Sequence, residues 1–149
     1  TLITQNVDGL HQRAGSPDVV GLHGDLFADQ WLEAPCPQCA AALHAGQLTA
    51  TEPPACPHCG NLRRPGVVWF GECLPQAALE AAEAPAQRCD LMLVVGTAGV
   101  VYPAAGLVFQ ARDAGARVVI VNTAATELDV LADATLRGPA ATLLPVLLG

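Results

Sequence analysis

The fold follows from the stretch Leu91-Met92-Leu93-Val94-Val95-Gly96-Thr97, a continuous apolar run that is closed by two small residues. A run of this kind is typical of a strand buried on both faces of a parallel sheet. Pro103 to Ala114 then favours a helix, since a proline stands at its start and Gly115 just beyond its end. A second apolar run, Val118-Val119-Ile120-Val121-Asn122-Thr123, ends in polar residues. This spacing predicts a βαβ unit, and therefore an α/β fold with a parallel sheet.

The N-terminal part repeats this alternation in a shorter form. Leu2-Ile3-Thr4 and Val19-Val20 are strand-like, and Leu10 to Ala14 predicts a short helix that stops at Gly15. Because the chain opens at Thr1, directly before a strand of the core, we expect that an upstream part of the domain is missing.

Two further segments lie towards the C-terminus. Thr126 to Ala134 predicts another helix, and Leu143 to Leu148 is an apolar run that we expect to pack back onto the core. With these elements, the sequence predicts a Rossmann-like domain.

Composition limits the classes of function. With 149 residues, 52% of them hydrophobic and 14% charged, the chain can bury a core and does not resemble a disordered chain. No apolar run reaches the roughly 20 residues that a membrane helix needs, so we expect no membrane partner. A net charge of -7 without a basic stripe argues against nucleic acid, although it leaves a basic protein partner possible.

Four of the six cysteines form two Cys-x-x-Cys pairs separated by sixteen residues. Two thiolates three residues apart can hold one metal ion from a tight turn, and two such turns complete a tetrahedron. Four thiolates fill the coordination sphere of Zn²⁺, so the predicted zinc site is structural. A pair of redox dithiols is the alternative, and His44 and His58 are competing ligands. The predicted ligands are Cys36, Cys39, Cys56 and Cys59.

The cysteine spacing also bears on the compartment and on the domain plan. Paired cysteines favour metal over disulfides and therefore a reducing, cytoplasmic environment. Cys73 and Cys89 have no paired spacing and are interpreted as small buried side chains. Prolines crowd the segment that holds the pairs, which predicts a zinc module, 35–65, inserted between two parts of the α/β domain, 1–34 and 66–149.

Polar loops follow three of the predicted strands. They are Gln5 to Asp8, Gly96 to Gly99, and Asn122-Thr123. In an open parallel sheet, ligands bind beyond the carboxyl ends of the strands. Taken singly, each loop also fits ordinary turn chemistry. The absence of a G-x-G-x-x-G pattern gives no direct support to a dehydrogenase.

Taken together and in order, these residues resemble the sirtuin family. Thr4-Gln5-Asn6-Val7-Asp8-Gly9-Leu10-His11 resembles its TQNxDxLH motif, and His23-Gly24 its catalytic His-Gly. Arg64 to Glu72 resembles its RPxVVWFGE segment, and the cysteine pairs its zinc module. Gly96-Thr97-Ala98 stands at its GTS motif, and Asn122 at an asparagine that ends a later strand. The wording is closest to the bacterial and mitochondrial group that includes desuccinylases.

Two departures from the family pattern stand out. The family's Gly-Ala-Gly-x-Ser nucleotide loop is absent from this sequence and would lie upstream of Thr1. The Tyr and Arg that select acidic acyl groups in the desuccinylase-like group would lie there too. Ala98 replaces the serine of GTS, which removes one hydroxyl near the nucleotide.

The resemblance implies that NAD is consumed as a co-substrate, with an acyl-lysine oxygen attacking its ribose as nicotinamide leaves. His23 would be the general base on a ribose hydroxyl, for which an imidazole is suited because its pKa lies near working pH. Asn6 and Asp8 would join it as catalytic residues, although Asp8 also fits a helix N-cap and His23 a structural histidine. The implied NAD-binding residues are Gln5, Asn6, Asp8, Gly96, Thr97, Ala98, Asn122, Thr123 and Ala140.

The same resemblance implies that acylated-lysine proteins or peptides are the partners. They would pair with a strand edge through backbone hydrogen bonds, a mode that tolerates many sequences. The alternative for this segment is a core strand with two packed aromatic residues. The implied substrate-binding residues are Val68, Trp69, Phe70, Gly71 and Glu72.

Protein deacylation is therefore the predicted function, with acetyl groups as substrates and succinyl or malonyl groups as further candidates. Two alternatives stay open, a zinc-stabilised binding module without catalysis and a protein ADP-ribosyltransferase. Deacylation and ADP-ribosyl transfer both require the same arrangement, in which a single cleft is lined by Asn6, His23, Thr97 and Asn122.

Overall fold

The computed structural model of the chain describes residues 1–44 and 52–149. Its strands are β1 Leu2–Thr4, β2 Val19–Gly21, β3 Gly24–Trp31, β4 Arg63–Val67, β5 Leu91–Val95, β6 Arg117–Asn122 and β7 Ala134–Arg137. Its helices are α1 Leu10–Arg13, α2 Pro37–His44, α3 Gln76–Ala86, α4 Gly106–Asp113 and α5 Ala140–Leu148, with a 3-10 helix at Glu127–Leu131. No helix among the described residues is both long and apolar enough to cross a membrane.

Strands β5, β6 and β7 form a parallel sheet in that order, and β5 aligns with β6 from Leu91–Arg117 to Val95–Val121. Because parallel strands end at the same edge, the polar residues after β5 and β6 are brought side by side. Apolar side chains of the strands pack on α4 and on the 3-10 helix, and this burial drives the arrangement. The buried members of this core are Val94, Val108, Val118, Ile120 and Leu128. The predicted βαβ unit and α/β fold are confirmed.

A second parallel pair joins β1 to β2, from Leu2–Val19 to Thr4–Gly21. It packs on α3 and α4 through a core that includes Leu22, Ala82 and Leu107. The predicted strands at both places and the short helix between them are confirmed. The loop after β1 is thereby fixed to the same body as the sheet that carries β5.

The predicted helix from Pro103 begins later, at Gly106. Its approach is a turn in which Ala105 N donates to Val101 O and Gly106 N donates to Pro103 O, at 2.9 Å each. These bonds span four and three residues, so the chain winds irregularly before it settles into α4. The stop at Gly115 is as predicted.

The helix predicted for Thr126 to Ala134 is wrong. Only Glu127–Leu131 is helical, and it is a 3-10 helix. The chain then becomes extended at Ala132, Asp133 N donates to Val118 O at 2.8 Å, and β7 pairs with β6. Ladder hydrogen bonds with β6 fix this edge strand, whose residues are mostly exposed and carry no clear apolar signal.

The expectation that Leu143 to Leu148 packs onto the core is wrong for most of that run. The segment lies in α5, but Val146 and Leu148 are 84% and 71% exposed. Leu143 and Leu144 are half-buried. The run is therefore helical, but most of its apolar side chains are not buried.

Strands β3 and β4 pair antiparallel, with an irregularity between Asp25 and Asp29, and α2 lies in the connection between them. This pairing was not predicted, since most of β3 is exposed and shows no alternation. The interpretation of Cys73 as a buried side chain is wrong, because it is exposed; Cys89 is half-buried. The proposed division into 1–34, 35–65 and 66–149 remains a prediction.

Gly24 stands where β3 meets β4 and has φ +85°, a region that other residues rarely adopt. A Cβ at this position would lie 2.0 Å from Gly66 O on β4. We therefore expect Gly24→Ala to lower the free energy of unfolding by about 2–4 kcal/mol, as urea denaturation would measure. Gly21→Ala is the matched control, since its Cβ would meet its nearest neighbour at 3.6 Å. Equal stability of the two variants would contradict the close approach of these strands.

Candidate functional site

The carboxyl ends of β1, β5 and β6 are joined by side-chain hydrogen bonds. Gln5 Nε2 donates to Thr97 Oγ1 at 3.2 Å. Asn122 Nδ2 donates to Thr97 O at 2.8 Å. The first bond joins residues that are 92 positions apart in sequence, and the second joins residues that are 25 positions apart. Distant parts of the chain are therefore in contact at one edge of the fold. The three predicted polar loops therefore meet here.

His23 lies in the two-residue link between β2 and β3. Its Nδ1 donates to Gln5 O at 3.0 Å. A carbonyl can only accept, so this bond places the ring proton on Nδ1 and leaves Nε2 as the proton acceptor of the neutral ring. His23 is thus connected to Thr97 and Asn122 through Gln5.

A cavity of about 390 Å³ opens beside this histidine. His23 and Gln5 line it together with the whole segment from Val68 to Glu72. The predicted base and the predicted substrate segment therefore share one cavity. The residues of its lining that sequence reasoning missed are Val7, Val67, Leu74, Val101, Tyr102 and Pro103. The signal that could have found three of them is the apolar run directly after Gly99.

Asn6 and Asp8 are placed differently from His23. Neither lines the cavity, and Asn6 is exposed, with its N–H donating to Thr4 Oγ1 at 3.0 Å. Asp8 Oδ1 accepts from Leu10 N at 3.0 Å, at the start of α1. The N-cap of α1 is Gly9, which has no side-chain capping bond, so the N-cap alternative for Asp8 is wrong and its carboxylate forms a local turn before the helix. The catalytic roles of both residues stay predictions.

The remaining candidates for NAD binding lie at the ends of β5 and β6. Ala98 is exposed in the loop after β5, and Thr123 follows Asn122 directly. Gly138 N donates to Asn122 O at 3.1 Å, which brings the start of α5, with Ala140, to the same strand end. None of these residues lines the cavity beside His23, so only His23 of the four residues predicted to share one cleft lies in it. Their contacts with a nucleotide stay predictions.

The segment from Val68 to Glu72 is not a strand, contrary to its prediction. β4 ends at Val67, and a turn follows in which Glu72 N donates to Trp69 O at 3.0 Å. The alternative of two packed aromatic residues is also wrong, because Trp69 is 47% exposed and Phe70 is fully exposed. We call Val68 to Glu72 the aromatic loop.

The four paired cysteines converge on one point. Their sulfur atoms all lie within 4.8 Å of one another. Cys39 Sγ is 3.4 Å from Cys36 Sγ and 3.6 Å from Cys59 Sγ. Zn–S bonds of about 2.3 Å in a tetrahedron place the sulfurs about 3.8 Å apart, so these residues fit the ion. Cys36, Cys39, Cys56 and Cys59 would hold Zn²⁺ as a structural centre, with no position open to water.

The electrostatics of the cluster also suit a cation. Burial and hydrogen bonds among the neighbouring thiols raise the pKa of Cys39 to about 12. At Cys56, burial acts in the same direction, but the N–H groups of His58 and Cys59 donate to the sulfur and lower its pKa to about 7. Four crowded thiols ionise together only around a positive ion. The competing ligand His58 is exposed, and the side chain of His44 lies outside the described residues.

Thr97 accounts for much of the link between the strand ends. Its Oγ1 accepts from Gln5 Nε2 and also from Gly99 N, each at 3.2 Å. We expect Thr97→Val, which keeps the shape and removes the acceptor, to lower the free energy of unfolding by about 1–2 kcal/mol. Thr97→Ser keeps the hydroxyl and should remain within about 0.5 kcal/mol of the parent chain. Urea denaturation measures both; a Thr97→Val chain as stable as Thr97→Ser would refute the link.

Comparison with known proteins agrees with this geometry. The family model described as "Sir2 family" matches residues 1–103. The chain is 53% identical to an NAD-dependent protein deacylase of Ralstonia nicotianae over 99% of its own length and 58% of that protein. It is 49% identical to NAD-dependent protein deacylase 1 of Pseudomonas aeruginosa, over 99% of its length and 60% of that protein.

Solved structures give the same result. A Sir2 homologue in complex with NAD superposes with a TM-score of 0.83 at 38% identity, over 98% of this chain and 56% of the other. Sir2Tm bound to a propionylated peptide superposes with a TM-score of 0.83 at 35% identity, over 98% and 61%. The chain thus spans somewhat more than half the length of these relatives. With a family model that covers its first 103 residues and relatives about half identical to it, the chain belongs to the Sir2 family.

Proposed function

We propose that the chain carries the catalytic cleft of an NAD-dependent protein-lysine deacylase. The observation that supports this best is the cavity of about 390 Å³ that His23 shares with the aromatic loop. It puts a proton acceptor beside the exposed rings of Trp69 and Phe70, an aromatic surface that suits an acylated lysine. The relatives named NAD-dependent protein deacylase, and solved relatives with NAD or with a propionylated peptide, support the same function.

His23 is the general base in this proposal. Its Nδ1–H bond to Gln5 O holds the neutral tautomer in which Nε2 accepts a proton. General-base catalysis by a positioned imidazole contributes about 10²- to 10⁴-fold. NAD, when bound, would supply a ribose hydroxyl and nicotinamide as the leaving group, and His23 Nε2 would accept the proton of that hydroxyl.

NAD binds at the ends of β5 and β6 in this proposal. Gly96 to Gly99 offers backbone groups close to the ligand, and Asn122, Thr123 and Ala140 lie around the same edge. The Thr97 hydroxyl is already used by Gln5 and Gly99, so this residue serves NAD mainly by shaping the loop. Asn6 and Asp8 would contact the nicotinamide half. Zn²⁺ takes no part in the chemistry, because the four thiolates complete its coordination.

The peptide partner binds along the aromatic loop. Val68 N donates to His23 O at 2.9 Å, so the loop is attached next to the base. Backbone pairing there gives affinity with little dependence on sequence. Trp69 and Phe70 form an apolar wall for the lysine side chain and its acyl group. Cysteine pairs that hold a metal ion rather than form disulfides support a reducing, cytoplasmic setting.

Release of nicotinamide tests this function. The chain is mixed with NAD and an acetylated or a succinylated peptide, and free nicotinamide is measured against the same peptide with unmodified lysine. Release that depends on the acyl group, with deacylated peptide as product, supports the proposal. Transfer of labelled ADP-ribose to protein without acyl removal would replace it with ADP-ribosyl transfer. Acyl-peptide binding without any release would leave a binding module.

A further inference from the structure

Arg64, the second residue of β4, makes two contacts with the aromatic loop and one with the residue directly before it. Its Nη1 donates to Val67 O at 2.9 Å, and its Nη2 lies 2.6 Å from Glu72 Oε1. Its guanidinium carbon lies 4.1 Å from the centre of the Trp69 ring, within stacking distance. Gln30 turns its side-chain amide towards the same guanidinium. The Arg64 side chain is only 12% exposed, so these contacts are largely shielded from water.

Glu72 extends this network, because its carboxylate contacts both Arg64 and the backbone of the loop. Its Oε2 accepts from Trp69 N at 2.8 Å, while Oε1 faces Arg64. The bond from the Trp69 N–H, followed by the bond and charge of Arg64, lowers the pKa of Glu72 despite partial burial. The loop is therefore closed by an ionised carboxylate that binds a backbone N–H and a guanidinium at once.

These contacts leave a defined set of backbone groups uncommitted. Val68 N donates to His23 O, and Trp69 N, Trp69 O and Glu72 N are used within the loop. In the hydrogen bonds of the described residues, the N–H and C=O of Phe70 and Gly71 have no protein partner. Free donors and acceptors on an exposed segment are what an added peptide strand requires.

We propose that Arg64 is a positioning residue for the peptide partner. It holds the aromatic loop in the shape that presents the backbone of Phe70 and Gly71, and the face of Trp69, to an acyl-lysine peptide. This role rests on the proposed function. Lysine cannot replace it, because an ammonium lacks the planar fork that bonds Val67 and Glu72 while it stacks on Trp69.

The chain offers a matched control in the preceding residue. Arg63 also stacks on a tryptophan, with its guanidinium 5.1 Å from the Trp31 ring centre, and pairs with Asp29 at 2.9 Å. It is buried, and Trp31 packs on the cysteine cluster rather than lining the cavity. Arg63→Lys thus makes the same chemical change in a part of the strand that serves stability.

The experiment measures the affinity of Arg64→Lys, Arg63→Lys and the parent chain for a fluorescein-labelled acetyl-lysine peptide, with its unmodified counterpart as reference. We expect Arg64→Lys to raise the Kd for the acetylated peptide about tenfold and to lower Tm by no more than Arg63→Lys does. Arg63→Lys should lower Tm and leave Kd within about twofold. The two indole N–H signals in a ¹⁵N NMR spectrum give a further readout, since Arg64→Lys should shift that of Trp69 and Arg63→Lys that of Trp31. Glu72→Gln, which weakens the network from its other end, should raise Kd in the same direction.

The outcomes separate this role from the function on which it rests. If the parent chain prefers the acetylated peptide but Arg64→Lys and Glu72→Gln bind it equally well, the positioning role is wrong and deacylation stands. The role also fails if Arg63→Lys, which lowers Tm away from the cavity, raises Kd as much as Arg64→Lys does. If the parent chain does not prefer the acetylated peptide, the proposed function fails and the role of Arg64 towards a peptide fails with it.

Discussion

The Cys56→Ser variant is expected to lose its zinc and to unfold the segment around the cysteine pairs. Cys56 is buried, and its sulfur receives backbone N–H groups of His58 and Cys59. A serine hydroxyl cannot replace the thiolate, because it stays protonated and binds Zn²⁺ poorly. The small core here consists of Cys39, Ala42 and Cys56 packed with Trp31, and is too small to fold without the ion. We expect a metal content well below one zinc per chain and a Tm lower by roughly 10 °C or more. Elemental analysis and thermal unfolding measure the two quantities.

Cys73→Ser is the matched control for this experiment. Cys73 is exposed and lies outside the cysteine cluster. The same chemical change there should leave one zinc per chain and shift Tm by no more than about 2 °C. Removing the metal from the parent chain with a strong chelator should reproduce the Cys56→Ser result. A Cys56→Ser chain that kept both its metal and its Tm would show that the ligand assignment is wrong.

The His23→Ala variant is expected to keep its fold and lose acyl-dependent nicotinamide release by about 10²- to 10⁴-fold. His23 is half-buried in a two-residue link, and its side-chain bond is to Gln5 O alone among the described residues. Removing it takes away the proton acceptor while the strand ends remain joined through Gln5 and Thr97. Zinc content and Tm should therefore stay near those of the parent chain.

His11→Ala controls for the loss of an imidazole as such. His11 lies on α1 and does not line the cavity. Nicotinamide release should stay within about twofold of the parent value. Full activity of His23→Ala, or an equal loss in His11→Ala, would contradict the assignment of the base.

The parts of the fold that could be predicted are those with a local signal. The apolar runs of β5 and β6 predict buried strands, and Gly115 predicts the end of α4. Strands β3 and β7 could not be found in this way. Most of their residues are exposed, and they are strands because β4 and β6 offer ladder partners that lie far away in sequence.

In the candidate site, too, the residues with a signal in the sequence could be predicted and the others could not. The spacing of the cysteines predicted the metal ligands, because two Cys-x-x-Cys pairs supply the four thiolates of a tetrahedral zinc site and rarely serve another purpose. The bond from His23 to Gln5 follows from the rule that parallel strands, here β1 and β2, end at one edge. The bond from Gln5 to Thr97 joins the ends of strands in two separate sheets. Arg64 and Tyr102 were missed as members of the site. Arg64 matters through a tertiary neighbour, the Trp69 ring, which no local pattern encodes. Tyr102 lies in the apolar run after Gly99, which was a local signal for this part of the cavity.

The central claim is that the strand ends and the aromatic loop form one cleft around His23. It is tested most directly by following the backbone amide signals of the ¹⁵N-labelled chain while NAD and then an acetyl-lysine peptide are added. We expect NAD to shift the amides of Gly96 to Gly99 and Asn122, and the peptide to shift those of His23, Phe70 and Gly71. Shifts confined to α5 or to the cysteine segment, with these amides unchanged, would contradict the account.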